Sequence, residues 1–223
     1  MSRIFVTASG TEIGKTFVTR TLISQLRANG QRVHALKPIA TGLESERNQP
    51  SDTELLLHAL SLEADAEGLA RVTPWGFNEP LSPDMAAARE QTSIPFNDLV
   101  AFCGTDNDLD ITLIEGIGGV MVPLDEEHSV LDWIVALRVP TLLVVGSYLG
   151  TLSHALTAVG MLQGNGVKLA GIIVNESPDQ PVPVEETAAV IARFSGDVPI
   201  QILHRVGRPE DAPDLLPLIT PYL

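Results

Sequence analysis

The sequence lacks the residues that mark several common classes of protein. Its 223 residues include one cysteine, Cys103, so no internal disulfide can form. No partner motif accompanies this cysteine, and its apolar helical surroundings predict a buried, unreactive thiol. The five histidines form no metal-ligand cluster with it, and no Gly-x-Ser-x-Gly motif is present. Zinc chemistry and acyl-enzyme chemistry are therefore disfavoured.

Positive charge and long apolar runs are also scarce. The chain has 14 lysines and arginines against 28 aspartates and glutamates, a formal net charge of −14. This balance argues against binding nucleic acid or an anionic membrane, so an anionic ligand must be held by local groups. The given N-terminal residues predict no export signal, and no apolar run approaches the roughly 20 residues of a membrane span. We expect a soluble, cytoplasmic protein with neither nucleic-acid nor membrane partners.

The sequence does contain a phosphate-binding motif near its start. An apolar strand at 4–6 runs into a loop that ends in Gly14-Lys15-Thr16, and apolar residues then recur at helical spacing. In such a loop backbone N–H groups surround a phosphate, the lysine reaches the outer phosphates and the threonine ligates Mg²⁺. The usual motif has glycine at position 9, whereas this chain has Gly10. A plain strand-to-helix turn that begins with a threonine is the alternative.

Two more polar side chains lie at the boundaries of predicted elements, one after a strand and one at the start of a helix. Lys37 follows a strand at 33–36, and Pro38 keeps the chain extended beyond it. It is either a solvated loop lysine or a group that meets an anion. The run 51–54, Ser-Asp-Thr-Glu, predicts a capping box, and Asp52 is explained equally well as a helix-start charge or as a magnesium ligand.

Later strands end in residues that suit a nucleotide site. Glu115 closes an apolar strand at 109–114 and precedes glycines, which favours a magnesium-binding carboxylate over a solvated loop residue. The segment 150–154 begins a helix. Its polar residues form either a second anion site or an ordinary helix cap. Asn175 closes the strand at 169–174 and is either a loop asparagine or a partner for the edge of an adenine.

Strands alternate with helices along the chain, beginning with a helix over about 15–29, and two later strands, over 141–145 and 169–174, are continuously apolar. This pattern predicts a single α/β domain over 1–223, with a mainly parallel sheet and helices on both faces. Further predictions are a loop over 43–51, a connector over 74–83, helices from Pro83, after Pro95 and over 185–194, and a strand over 199–203. Ligands bind beyond the carboxyl ends of such strands. We therefore expect Lys15, Lys37, Glu115, Gly150 and Asn175 to share one edge of the sheet.

Six segments, taken in order, resemble the dethiobiotin synthetase family of P-loop proteins. They are Gly10–Thr16, Lys37–Gly42, Ser51-Asp52, Glu79–Pro83, Glu115–Gly119 and Leu149–Thr151. The resemblance implies an ATP-dependent cyclo-ligase that forms C–N bonds. Its substrates would be 7,8-diaminopelargonate, CO2 or bicarbonate, and ATP with Mg²⁺, and its products dethiobiotin, ADP and phosphate. It also implies a homodimer with the active site at the subunit interface.

The resemblance assigns roles to individual residues. Catalytic residues would be Lys37, Lys15 and Thr11, and the Mg²⁺ ligands would be Thr16, Asp52 and Glu115. The ATP-binding set would be Glu12, Ile13, Gly14, Lys15, Thr16, Phe17, Asp52, Glu115, Gly116, Ile117, Gly118, Asn175 and Glu176. The other substrate would meet Thr11, Lys37, Thr41 and Pro80, together with Gly150, Thr151, Leu152 and Ser153 from the partner subunit.

The chain departs from the family pattern at a few positions. Ala8 replaces a glycine, Gly10 stands where aspartate is common, Ser153 replaces an asparagine, and 203–206 lacks the usual Ile-Pro. The alternative function is a nucleotide switch resembling the ParA and MinD ATPases. Those proteins carry an extra lysine early in the phosphate loop, and the membrane-binding members end in a basic amphipathic helix. This chain has neither feature.

Overall fold

The computed structural model describes residues 2–43, 50–105 and 108–223 of the chain. The elements of the first half are β1 (Ser2–Ala8), α1 (Lys15–Ala28), β2 (Val33–Leu36), β3 (Ile39–Ala40), α2 (Asp52–Ala59), α3 (Ala66–Val72), β4 (Trp75–Gly76), α4 (Pro83–Arg89) and α5 (Phe96–Gly104). Those of the second half are β5 (Ile111–Glu115), α6 (Val130–Leu137), β6 (Thr141–Val145), α7 (Thr151–Gly164), β7 (Leu169–Asn175), α8 (Val184–Phe194) and β8 (Ile200–Leu203). Three 3₁₀ turns follow, at Pro209–Asp211, Leu216–Leu218 and Thr220–Tyr222.

Six of the strands form one parallel sheet. Their order is β2-β5-β1-β6-β7-β8, so β1 lies inside the sheet between β5 and β6. The register pairs Val6 with Glu115 and Ala8 with Val144. Because all six strands run the same way, their carboxyl ends meet at one edge. The ends of β1, β2, β5, β6 and β7 therefore bring the expected polar residues to that edge.

Apolar side chains on alternate strand positions pack into two separate cores. Phe5, Ile114 and Leu143 belong to a core that includes Trp133 and residues of α4, α5, α7 and α8. Ile4, Leu113 and Leu142 belong to the other, which includes residues of α1, α2 and the C-terminal turns. Both sheet faces are thus covered, which explains the continuous apolar strands. The predicted α/β fold is confirmed.

Several local predictions are confirmed by the hydrogen bonds at helix ends. The Ser51 hydroxyl accepts from the Glu54 N–H at 3.3 Å, and a Glu54 carboxylate oxygen accepts from the Ser51 N–H at 2.7 Å. Pro83 opens α4. Cys103 is buried in α5, and burial raises the pKa of its thiol to about 12. This thiol stays protonated at neutral pH.

Other elements were not foreseen. The connector predicted over 74–83 is partly wrong, because β4 pairs in parallel with β3 inside it. Two-residue strands carry no periodicity that a sequence could reveal. The helices α3 and α6 were also missed, although Ser129 and Asp132 form a capping box at the start of α6. The loop predicted over 43–51 falls mostly on 44–49, outside the described residues.

Within the described ranges, no helix is both long enough and apolar enough to cross a bilayer.

Candidate active site

The loop between β1 and α1 has a tightly fixed shape. Gly14 adopts φ 98°, and a Cβ atom there would lie 2.4 Å from the Asn175 side-chain nitrogen. That nitrogen donates to the Ile13 carbonyl oxygen at 2.8 Å. Glu12 also has a positive φ, 57°, which non-glycine residues adopt rarely and mostly where surrounding structure enforces it. Only glycine fits at position 14, and Asn175 fastens the loop to the end of β7.

Lys15 begins α1, and its ammonium turns back into this loop. Its Nζ donates to the Gly118 carbonyl at 2.9 Å and to the Gly10 carbonyl at 3.3 Å. Burial, followed by the nearby positive charge of Lys37, lowers the Lys15 pKa to about 8, although Glu115 and Asp52 act in the opposite direction. Among the described residues Lys15 donates only to these carbonyl oxygens, and phosphate oxygens would supply a charged partner.

Lys37 is positioned by the end of β2. Its backbone N–H donates to the Val72 carbonyl at 3.2 Å, and its side chain is almost fully buried. The Nζ donates to Glu115 Oε1 at 2.8 Å and to the Gly116 carbonyl at 2.9 Å, and it lies 3.3 Å from Asp52 Oδ2. Burial alone would lower the Lys37 pKa, but the two carboxylates outweigh it and the pKa is raised. Lys37 is a buried cation, not a solvated loop residue.

Three oxygen-bearing side chains converge beside the two lysines. Thr16 Oγ1 lies 2.7 Å from Asp52 Oδ1 and 2.8 Å from Glu115 Oε1. Burial opposes ionisation of Asp52, yet Lys37 and the Thr16 hydroxyl lower its pKa. Glu115 is fully buried, and its Oε2 has no hydrogen-bond partner among the described residues. One hydroxyl proton cannot satisfy both carboxylates, so this oxygen cluster has spare acceptor capacity.

This donor set has the chemistry that Mg²⁺ prefers. Magnesium binds hard oxygen ligands and uses one or two carboxylates together with substrate phosphates. The unpartnered Glu115 Oε2 adds an oxygen that a cation could satisfy. Within the ranges that the structure describes, no group of three or more histidine, cysteine or acidic side chains forms another candidate cation site. The residues present therefore fit a magnesium ion bound with a nucleotide.

The two lysines line a single cleft. It has a volume of about 720 Å³. Its lining includes Thr11, Glu12, Gly14, Lys15, Thr16, Lys37, Thr41, Asp52, Pro80, Ile117 and Gly118. The side chains from the phosphate loop and from the ends of β2 and β5 thus face the same space. The cleft therefore carries positive charge from two different loops.

Two further clefts continue along the same sheet edge. One, of about 610 Å³, lies between the phosphate loop, including Ile13, and the loop after β7, including Asn175 and Glu176. The other, of about 540 Å³, is bordered by Phe17, the same two residues and the segment 204–207. Together these clefts give space for a nucleoside attached to phosphates in the loop.

The first residues of α7 do not line these three clefts, although Tyr148 and His154 on either side of them border the second. Among the described residues that line them, none comes from Gly150–Ser153. Thr151 is buried and donates to the Gly146 carbonyl at 2.8 Å, whereas Ser153 is exposed. One chain thus does not bring the predicted carboxylate-binding residues to its own Lys37. Their assignment to a partner subunit stays a prediction.

Some lining residues were not identified from the sequence. Ser82 and Val122 border the first cleft, and Tyr148 and Arg205 border the second. Ser82 belongs to the Glu79–Pro83 segment, so the sequence could have identified it. The other three lie in loops after strands and belong to no motif, so only the fold reveals them. His154, which also borders the second cleft, belongs to the segment 150–154 that was predicted as a possible anion site.

Comparisons with known proteins show the family to which the chain belongs. A family model described as an AAA domain matches residues 2–213. The chain is 45% identical over 217 residues to the ATP-dependent dethiobiotin synthetase BioD of Acidiphilium cryptum, covering 96% of this chain and 95% of that protein. It is 46% identical over 224 residues to the protein of the same name from Methylobacterium nodulans, covering 97% and 100%.

One solved structure supports the fold alone. The signal recognition particle 54 kDa protein of Aeropyrum pernix, in complex with GDP, superposes with a TM-score of 0.53 and 17% identity. The match covers 97% of this chain and 44% of that chain. The named relatives do not favour the ParA- or MinD-like switch. The chain belongs to the family of ATP-dependent dethiobiotin synthetases.

Proposed function

We propose that the chain, acting as one domain over 1–223, converts 7,8-diaminopelargonate, CO2 and ATP into dethiobiotin, ADP and phosphate. The observation that carries this proposal is the shared cleft, in which Lys15 and Lys37 lie beside three oxygen ligands. The reaction needs two cations around one transferring phosphoryl group and no protein nucleophile. Because the reactants are small polar molecules, a cytoplasmic location suits the reaction.

ATP would lie along the sheet edge. The phosphates would accept from the backbone N–H groups of 12–16 and from Lys15, at the positive end of α1. Asn175 already donates to Ile13, so its Oδ1 remains able to accept from the adenine amino group. Glu176 and Phe17 border the space for the nucleoside.

Magnesium would be held by Thr16, Asp52 and Glu115. When bound with ATP, it neutralises negative charge on the phosphates as the phosphoryl group transfers. The carboxylates also hold Lys37 in its charged form, since its Nζ contacts Glu115 at 2.8 Å and Asp52 at 3.3 Å. The same two side chains would therefore position a cation and a catalytic lysine.

The chemistry follows in three steps. One amine of the substrate adds to CO2 and loses a proton, which gives a carbamate anion that Lys37 can hold. A carbamate oxygen then attacks the γ-phosphorus of ATP and ADP leaves, while Lys15 and Lys37 stabilise the spread negative charge. The second amine attacks the carbonyl carbon of this mixed anhydride, closes the cyclic urea and expels phosphate, with loss of one amine proton.

The substrate would bind between two subunits of a homodimer. Thr11, Thr41 and Pro80 line the cleft near Lys37 and would contact the diamine. The carboxylate tail would meet Gly150, Thr151, Leu152 and Ser153 at the start of the partner's α7. That helix has 14 residues and Gly150 as its N-cap, so free N–H groups and the helix dipole favour an anion there.

Substrate dependence of ATP turnover tests the proposal. We expect ADP release to require both 7,8-diaminopelargonate and bicarbonate, and to match dethiobiotin formation one to one. Omitting either reactant should reduce ADP release to background. ATP turnover that ignores the diamine would contradict the ligase and favour a nucleotide switch.

A further inference from the structure

Two serines join neighbouring loops by a reciprocal pair of hydrogen bonds. The Ser147 N–H donates to Ser177 Oγ at 3.0 Å, and the Ser177 N–H donates to Ser147 Oγ at 2.9 Å. Ser147 follows β6 and Ser177 follows β7, and these strands are adjacent in the sheet. Ser147 is fully buried. Moving either loop would break two hydrogen bonds at once, and we call this pair the serine clamp.

The serine clamp extends to the nucleotide side of the edge. Ser147 Oγ donates to Gln180 Oε1 at 2.9 Å, and Gln180 Nε2 donates to Glu176 Oε1 at 2.8 Å. Glu176 Oε2 in turn accepts from the Arg205 N–H at 2.9 Å. Glu176 and Arg205 both border the two nucleoside clefts. The chain of contacts therefore fixes the carboxylate beside the expected base.

The serine clamp also reaches the start of α7. The Gly146 carbonyl accepts from Thr151 Oγ1 at 2.8 Å, so the residue before Ser147 holds the first turn of the helix. A Cβ atom at Gly146 would lie 2.9 Å from Ser177 Oγ and 2.7 Å from the Tyr148 ring. The glycine thus permits the close approach of both loops. A shift at the serine clamp would displace the helix start as well.

We propose that Ser147 is a positioning residue for this reaction, an inference that rests on the proposed function. Ser147 borders none of the three clefts among the described residues, so it acts through the groups that it holds. Paired with Ser177, it fixes the loop of Asn175 and Glu176 relative to the start of α7. The serine clamp sets where the nucleoside binds and where a substrate carboxylate meets the helix.

Ser147→Ala tests the positioning role directly. The variant leaves the Ser177 N–H and Gln180 Oε1 without their partner inside the fold. We expect the Kd of a non-hydrolysable ATP analogue, measured by calorimetry, to rise at least fivefold, and the KM for the diamine to rise as well. Ser195→Ala is the matched control, because Ser195 is also buried and its hydroxyl has no partner in the described residues. It should change neither value.

Gln180→Glu tests the contacts toward the nucleoside separately from the contacts toward α7. It also keeps the inference testable if Ser147→Ala does not fold. A glutamate side chain keeps an oxygen that can accept from Ser147 Oγ. It loses the N–H group that donates to Glu176, and its negative charge repels the Glu176 carboxylate. We expect the KM for ATP to rise severalfold while the KM for the diamine stays within twofold. A folded Ser147→Ala protein with the control's Kd, or an unchanged KM for ATP in Gln180→Glu, would overturn the inference. Failure of the proposed function would instead appear in the wild-type protein, as ATP turnover independent of the diamine.

Discussion

Lys37 is the residue on which the proposed chemistry depends most. Its ammonium is buried against Glu115, so Lys37→Ala removes the proposed catalytic cation and also leaves a buried carboxylate without its charged partner. We expect dethiobiotin formation to fall by about 100-fold or more and the free energy of unfolding to fall by about 3 kcal/mol. Product assays and urea unfolding measure the two effects.

A control for Lys37→Ala is available in the same chain. Lys168 lies over the Tyr222 ring at 4.6 Å from the ring centre and borders none of the three clefts within the described residues. Lys168→Ala should keep its turnover. Near-normal turnover in Lys37→Ala would remove Lys37 from the mechanism.

Glu115 is a proposed magnesium ligand, and its substitution should change the magnesium dependence of turnover. Glu115→Gln keeps the shape of the side chain but weakens an oxygen ligand, so we expect the Mg²⁺ concentration for half-maximal turnover to rise about tenfold or more. Glu127→Gln changes an exposed carboxylate outside the clefts and serves as the control. An unchanged magnesium titration in Glu115→Gln would exclude this residue from metal binding.

At the residue scale, local motifs were predictable and cross-strand contacts were not. The spacing of Gly14, Lys15 and Thr16 indicates a phosphate loop because all three residues act within one turn. The ion pair of Lys37 with Glu115 depends on β2 lying beside β5, although 78 residues separate the partners. Only the strand order reveals that contact.

At the scale of elements, the turn from β1 into α1 requires glycine at position 14. Gly14→Ala forces a Cβ into the left-handed region and against Asn175. We expect the free energy of unfolding to fall by about 1–2 kcal/mol and ATP-analogue binding to weaken. Gly104→Ala, at a helical position where a Cβ meets nothing within 4 Å, should lower neither the free energy of unfolding nor the affinity. Equal behaviour of the two variants in unfolding and calorimetry would contradict this account of the loop.

The capping box at the start of α6 should make a contribution to stability that depends on pH. Hydrogen bonds from the Ser129 hydroxyl and N–H lower the pKa of Asp132, so its carboxylate stabilises the fold above the ordinary carboxyl pKa of about 3.9. Ser129→Ala should cost about 1 kcal/mol at pH 7. The difference in unfolding free energy between the variant and wild type should shrink as the pH falls below the ordinary carboxyl pKa and through the lowered pKa of Asp132, because the carboxylate becomes protonated. Urea unfolding at several pH values measures it, and a constant difference would refute it.

Long periodic elements were predicted well, and short ones were not. The apolar runs of β6 and β7 and the spacing in α1 fixed those elements to within one or two residues. By contrast, α6 is apolar at most positions, so its pattern does not separate helix from strand. The helix forms because its capping box and its packing of Trp133 against Phe5 favour it.

At the scale of the whole molecule, the proposed dimer makes the active site a property of two chains. Lys37→Ala disables one part of the site, and Ser153→Asp should disable the other, because its negative charge repels a substrate carboxylate while remaining favourable for α7. Each variant alone should be inactive. A refolded equal mixture should recover about a quarter of wild-type activity, because half of the dimers would then hold one intact site. No recovery would place each site within a single chain.

In the proposed reaction a carbamate oxygen attacks the γ-phosphorus of ATP between Lys15 and Lys37. The most direct measurement supplies freshly dissolved CO2 labelled with ¹⁸O and analyses the released phosphate by mass spectrometry. We expect one ¹⁸O atom in the phosphate, because the oxygen that bridges carbon and phosphorus leaves with phosphorus at ring closure. Dethiobiotin formed with unlabelled phosphate, under conditions where the CO2 keeps its label, would contradict the account.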